Sequence, residues 1–480
     1  MTRERRRFWL GAGAALLAGF LLRLWFISHQ ARIAGDSFLY GDIAKNLLLH
    51  RVYGFTEPGL APGSIMIRPT LIRLPGYPLF LAVCFRLFGM ENYRAVLYVQ
   101  LGADLLSCWL AAALAGRLFG SRAVLPVLWL AALCPFTATY VATPLTETLV
   151  LTSIALAFYG FARWRDAGAG YGRWLWVVAV ALGGSILLRP EQGLLAAAVV
   201  PAMLWVSLAT SERRAKALRS AVPVLAAAVC VLLPLAPWAA RNWHTFRVFE
   251  PLAPRSAADP GELQLDGFNR WYRTWGIEFV STANVYWNYG GDRIEAGDLP
   301  ARAYASGCTA RSDPASSLPG IHDRTVALLR DYDRAPSAPA AVDPRFAELA
   351  RERIQASPVC YYVGLPLARL LNMMLRPRTE MTEIPLDWWR GSEHLAQTML
   401  AGAYAALNFA YLAMAGAGFL AWRRRGWLGG REIAWAMAWS VLLRCALLLT
   451  LDNSEPRYTL EFFPVLFVWA GALFAPRGSE

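Results

Sequence analysis

A polytopic, all-α membrane protein is the architecture this sequence predicts, and three observations predict it. Of the 480 residues, 56% are hydrophobic and 17% charged, against about 25% charged and 45–50% apolar in ordinary soluble domains. The sequence contains ten apolar runs long enough to cross a bilayer, a crossing helix needing about 20 residues. Arginines cluster in alternate connections between those runs, the asymmetry that orients membrane proteins. The same composition excludes disorder, coiled coil and collagen. The net charge of +13 is not a nucleic-acid signature: Lys45 and Lys216 are the only lysines, and the arginines sit between apolar stretches. No zinc-finger spacing, basic helix or aromatic RNA-binding strand accompanies them.

The runs are taken in order. Residues 8–27 form the first; the run reaches Arg23-Leu24-Trp25 and no A-x-A site follows, so it reads as a retained signal anchor. Segment 28–92 is a first outside loop, in which Leu39, Ile43 and Leu47 repeat at helical spacing. Within it 75–89 is short and carries Arg86, which places it at the interface. Spans follow at 93–116, 123–141, 145–162, 174–189, 191–209 and 218–239, then at 395–421, 432–451 and 458–475. Thr143-Pro144 reads as an N-cap followed by proline at the first helical position, with Glu147 in the first two turns, where the helix dipole favours a carboxylate.

One side holds Arg3, Arg5, Arg6 and Arg7, then Arg117 and Arg122, then Arg163, Arg165 and Arg173. It continues with Arg213, Arg214, Lys216 and Arg219, then Arg423, Arg424, Arg425 and Arg431. That side is cytoplasmic by the positive-inside rule, with both termini inside. Three parts result: a membrane module 1–239 containing the loop 28–92, an extracytoplasmic subdomain 240–394, and C-terminal spans 395–480. The subdomain is rich in Pro, Gly and Asp over 251–320 and more helical over 320–376; 357–375 is apolar but carries Arg369 and flanking prolines, again an interfacial pattern. Five of the seven cysteines lie in or near apolar helices. Cys308 and Cys360 both lie in the outside loop, where an oxidising compartment permits a disulfide. Spacing alone leaves that pairing open.

The informative residues are charges at membrane depth, which are costly and line polar cavities. Asp36, Asp42, Arg68, Arg73, Glu147, Arg189, Glu191, Arg241, Glu455 and Arg457 all fall at the outer ends of spans. Each has a plain alternative. Asp36 also fits an N-cap, Asp42 a solvated helix face, and the arginines simple snorkelling to headgroups. Snorkelling does not explain carboxylates and arginines gathered on one face. Such a set suits sugar transfer from a lipid phosphate: a carboxylate takes the acceptor's proton, and arginines hold the phosphate as charge develops.

The chain resembles the GT-C membrane glycosyltransferases, in particular the superfamily of dolichyl-phosphate-mannose protein mannosyltransferases and bacterial lipid A aminoarabinose transferases. Gly35-Asp36-Ser37-Phe38-Leu39-Tyr40 with Ala44 is similar to the family's Asp-x-x-x-Tyr-x-x-x-Ala motif. Arg73-Leu74-Pro75-Gly76-Tyr77-Pro78-Leu79, Thr143-Pro144-Leu145-Thr146-Glu147, Leu188-Arg189-Pro190, Pro237-Trp238 with Arg241-Asn242, and Arg457-Tyr458 with Pro464 also resemble family positions. Phe346 to Arg376 resembles the amphipathic loop helices of bacterial members.

The resemblance implies a GT-C fold of about ten transmembrane helices, eleven to thirteen in some relatives, with juxtamembrane helices and one large extracytoplasmic loop. It implies an inverting enzyme with a polyprenyl-phosphate sugar as donor. Asp36 is then the base or the acceptor-orienting carboxylate and Glu147 a second acid. Tyr40, Arg73, Arg189, Arg241, Arg457 and Tyr458 become substrate-binding candidates. Ser37 stands where many relatives carry a second acid, so no metal or other cofactor is expected; one carboxylate with a distant Glu147 is a poor hard-cation site.

The expected partners are the donor, a lipid, glycan or protein acceptor, and the bilayer, with no nucleic acid. The expected location is a bacterial inner membrane, the site facing the periplasm. A transporter or flippase of a lipid-linked sugar is the alternative, but no repeat is visible and the polar residues avoid the midplane. A non-catalytic scaffold would leave Asp36 and Glu147 without a role.

Overall fold

A computed structural model describes residues 2–33, 35–59, 63–209, 214–254, 258–262, 264–289, 293–305, 320–333, 338–389, 395–427 and 429–476. Arg213 and Cys308 lie outside them. Among the described residues helix dominates, and six helices are long and apolar enough to cross a membrane: Arg3–Gln30, Tyr93–Phe119, Pro190–Ala209, Ser220–Phe246, Leu395–Arg424 and Pro456–Phe474. A seventh crossing is broken: Ser121–Ala132 and Pro135–Ala142 meet at a 50° bend within the run expected as one span. Glu147–Asp166 and Arg431–Leu448 are also helical, and Gly76–Phe88 and Arg173–Leu188 are shorter apolar helices.

The described residues fall into two compact units. The first comprises Met1–Pro260, Ala410–Leu443 and Leu460–Glu480. Its first loop adds to the all-helical expectation a two-stranded antiparallel hairpin, Gly54–Pro58 against Ile65–Pro69, with Glu57 opposite Met66. Asp42 holds it: the carboxylate accepts from the Thr56 amide at 2.6 Å and hydroxyl at 2.8 Å. Asp42 is thus engaged with the hairpin, not idle on a solvated face.

Deeper in the unit, Arg23 and Asp104 are both buried, and Arg23 Nε donates to Asp104 at 2.6 Å. Pro135 cannot continue the helix across the bend. The Ala132 carbonyl beside the break accepts from Arg23 Nη1 at 2.7 Å, and the Gly19 carbonyl from the same nitrogen at 2.9 Å. A backbone polar group freed in an apolar bundle needs such a partner.

The second unit comprises Gly261–Phe409 and Arg444–Thr459. Its core is aromatic, with Phe268, Trp271, Tyr272, Trp275 and Phe346 fully buried. Phe268 stacks on Tyr289 at 3.5 Å, and Tyr289 on Tyr332 at 4.9 Å. Asp343 accepts from the Gly267 and Phe268 amides at 2.8 Å each, satisfying two donors at the start of helix Asp266–Arg273. Buried Arg353 donates to Thr274 Oγ1 at 2.8 Å and to the Ala303 carbonyl at 3.0 Å, and burial lowers its pKa to about 10.

Farther along, Cys360–Gly364 is a π-helical turn leading into helix Leu365–Leu375. Val359, Val363, Leu367, Leu371 and Leu375 are exposed at steps of four, while Leu365, Arg369 and Met373 are buried. This is the amphipathic pattern of an interfacial segment. Cys360 is disulfide-bonded.

Arg23→Met alone leaves Asp104 buried without its cation and is expected to cost about 3–5 kcal/mol, whereas Arg23→Met with Asp104→Leu recovers most of that. Melting in detergent checks this; a double variant no more stable than the single one contradicts the pairing argument.

Candidate functional site

Asp36, Arg73, Glu147 and Arg189 of the first unit sit at the ends of its helices and in the connections between them. Gly35, at φ 54°, turns the chain into helix Asp36–His50, so Asp36 is the first helical residue and does not cap it. Its Oδ1 accepts from Arg73 Nη2 at 2.8 Å, and both side chains are 23% exposed. Arg73 sits just before helix Gly76–Phe88. A Cβ at Gly76 would lie 2.5 Å from the Leu187 carbonyl oxygen. Glycine therefore lets this helix approach the chain just ahead of Arg189.

Glu147 also begins its helix, which starts three residues later than the Thr143-Pro144 signal suggested. It is 2% exposed and accepts from Arg189 Nη2 at 3.0 Å. Arg189 Nη1 donates to Glu461 at 3.0 Å, and Glu191 lies 3.8 Å from Arg189 Nε. Gln192 Nε2 donates to the other Glu461 oxygen. One guanidinium thus forks between two buried carboxylates, the geometry arginine is suited to.

Tyr40 joins the two pairs electrostatically. Burial pushes its phenol up to about 12; Arg73 pulls it down, Asp36 pushes it up, and Arg189 and Glu147 act in the same opposed senses. The phenol therefore keeps its proton at neutral pH. Its ring meets Tyr77 edge to face at 5.0 Å.

Arg241, expected as a substrate-binding residue, has partners in the first loop. It donates to the Thr70 and Tyr53 carbonyls at 2.7 Å each and stacks within 5.3 Å of Tyr53, Trp238 and Phe246. It fastens the first loop. Arg68 bonds Glu57 at 2.6 Å and Asp259 at 2.7 Å, and Asp259 also accepts from the Leu71 amide at 2.8 Å.

In the second unit Arg457 pairs with Glu455 and lies 5.7 Å from the Tyr458 ring. The Tyr458 carbonyl accepts from Arg444 at 3.1 Å, and Arg378 donates to the Pro456 carbonyl at 3.0 Å and to Thr459 Oγ1 at 2.5 Å.

Sequence reasoning passed over Glu461 and Gln192. The available signal was Glu461 itself, a carboxylate inside the apolar run 458–475, which is costly unless paired.

Residues 69–240 match the model of the dolichyl-phosphate-mannose-protein mannosyltransferase family. This stretch contains Arg73, Glu147 and Arg189 but not Asp36. Among solved structures, the chain is similar to the Archaeoglobus fulgidus oligosaccharyltransferase tethered with an acceptor peptide containing the NVT sequon. The TM-score is 0.50 and the identity 12%, covering 97% of this chain and 49% of that one. The chain thus spans about half the length of that protein. AglB from the same organism, in complex with an inhibitory peptide and a dolichol-phosphate, matches at TM-score 0.49 and 13% identity, covering 98% and 50%. ArnT from Cupriavidus metallidurans, bound to undecaprenyl phosphate, matches at 0.38 and 14%, covering 97% and 77%. No curated protein sequence matches the chain.

Arg241→Lys keeps the charge but loses the fork on two carbonyls. Each charged hydrogen bond contributes about 1.5–3 kcal/mol, so hydrogen exchange across 53–73 should accelerate at least tenfold. Unchanged exchange there would remove Arg241 from the role of loop fastener.

Proposed function

Starting from the multi-pass GT-C fold of this chain, we propose that it is an inverting glycosyltransferase that moves a sugar from a polyprenyl-phosphate donor to an extracytoplasmic hydroxyl. The observation that carries this reading is the pair of arginine–carboxylate contacts, Asp36–Arg73 and Glu147–Arg189, acting on one buried tyrosine. The match over 69–240 supports it.

In this reading the acceptor oxygen attacks the anomeric carbon on the face opposite the phosphate. The bond from that carbon to the phosphate oxygen breaks, polyprenyl phosphate leaves, and the acceptor proton passes to the Asp36 carboxylate. Arg73, partly exposed beside Asp36, meets the phosphate and stabilises its developing charge. Arg189 is engaged by Glu147 and Glu461, so its part is to hold Glu147 in place. The Tyr40 phenol, protonated at neutral pH, donates to the donor or acceptor. Arg457, with Tyr458, is a further phosphate contact on the strength of its motif.

The acceptor is a glycolipid, a polysaccharide or a protein hydroxyl. An outward-facing site is supported by the arginine distribution and by the disulfide at Cys360, since disulfides persist in oxidising compartments. The chemistry is metal-independent in this reading, because Ser37 is buried and the counter-charge beside Asp36 is the Arg73 guanidinium.

The test follows polyprenyl phosphate released from a panel of polyprenyl-phosphate sugars with envelope extract as acceptor. Asp36→Asn should lower turnover by about 10²–10⁴-fold with donor binding retained. Turnover equal to wild type, or no release from any donor despite binding, overturns the reading, the latter favouring a lipid-linked-sugar transporter. Arg457→Ala should weaken donor binding by about tenfold or more, the equivalent of one charged hydrogen bond. Chelation with EDTA should leave turnover unchanged; loss restored by a divalent cation would contradict the metal-free scheme.

A further inference from the structure

Gln100 is fully buried on the spanning helix Tyr93–Phe119, where a leucine would be the cheaper residue. Its amide is used at both ends. Oε1 accepts from the Tyr77 hydroxyl at 2.6 Å, and Nε2 donates to the Thr143 carbonyl at 2.9 Å and the Val141 carbonyl at 3.4 Å. Tyr77 is fully buried, lies four residues beyond Arg73, and packs its ring against Tyr40. Thr143 lies four residues before Glu147, in the stretch between Thr139–Ala142 and the helix that Glu147 begins.

We propose that Gln100 is a positioning residue that holds the Asp36–Arg73 pair and the Glu147–Arg189 pair in one register. Its bearing on turnover rests on the glycosyltransferase reading; the coupling itself does not. The path runs along four residues of backbone from Arg73 to Tyr77, by hydrogen bonds through Gln100 to the Thr143 carbonyl, and along four more residues to Glu147. A side-chain amide accepts from a phenol and donates to a carbonyl in a fixed orientation. A carboxylate in its place would set an oxygen against the Thr143 carbonyl, and an apolar side chain would orphan the buried Tyr77 hydroxyl and leave the Thr143 carbonyl with the Leu145 amide as its remaining donor. Misplacement of a catalytic group by about 1 Å costs on the order of 10²-fold in rate.

Hydrogen exchange and turnover, measured on the full chain for Gln100→Leu, Gln100→Glu and Tyr77→Phe, test this. Tyr77→Phe breaks only the bond on the Tyr77 side. It should nevertheless raise exchange across both 73–79 and 145–150, because Gln100 loses the anchor that aims its amide. Exchange confined to 73–79 overturns the proposal, whatever the activity. With coupled exchange, kcat should fall about 10²-fold in each single variant while donor affinity stays within a few-fold, and the double variant Gln100→Leu/Tyr77→Phe should be no worse than either. Additive losses overturn the proposal, because residues acting as one unit are not additive. Coupled exchange in a wild type that turns over no donor leaves the coupling standing and sinks the glycosyltransferase reading instead.

Discussion

Arg189, forked between Glu147 and Glu461, is the interaction on which the first unit's charged site depends. In an apolar bundle every charge needs a counter-charge or hydrogen-bond partners, and every freed backbone group a partner of its own. One guanidinium here joins the start of helix Glu147–Asp166, the turn after Arg173–Leu188 and the chain entering Phe463–Gly471. Arg23 meets the same requirement at the bend, on Asp104 and the Ala132 carbonyl. The positions of these elements follow from where such charges can be satisfied, because alanine and leucine faces alone fix helix packing only loosely.

The first loop is the other half of the arrangement. It carries Asp36 and Arg73, which belong to no spanning helix, and it is held by polar contacts. Asp42 takes the Thr56 amide, Asp259 the Leu71 amide, and Arg241 two loop carbonyls. A loop pinned at three points can present a carboxylate and a guanidinium with defined geometry, the precondition for acid–base work. The charges gathered at the outer ends of spans therefore divide into the Asp36–Arg73 and Glu147–Arg189 pairs and those that hold the loop.

Much of this was legible in the sequence. The apolar runs gave the helices, and charge at helix ends marked Asp36, Arg73, Glu147 and Arg189 as the residues to watch. The rest had physical reasons to stay hidden. The hairpin has no clean alternation, since Ile65, Met66 and Ile67 follow one another and Gly and Pro bound it. The bend was announced by Cys134-Pro135, but only contact with Arg23 makes it a tolerable break. Ahead of the start at Glu147, the Thr143 carbonyl accepts from the nearby Leu145 amide and from a glutamine of another helix, a long-range contact no local cap reveals. The loop contacts of Arg241 stayed hidden because its partners are carbonyls and aromatic faces, which have no charge to see in sequence.

The most direct measurement is the affinity of the purified protein for polyprenyl phosphate, compared with the neutral polyprenol of the same length, in wild type and in Arg73→Gln. A site built to hold a lipid phosphate predicts that wild type favours the phosphate by at least about tenfold, the effect of a single charged hydrogen bond, and that Arg73→Gln removes most of that preference without weakening polyprenol binding. Equal affinity for phosphate and alcohol in wild type, or a preference untouched by Arg73→Gln, contradicts the account.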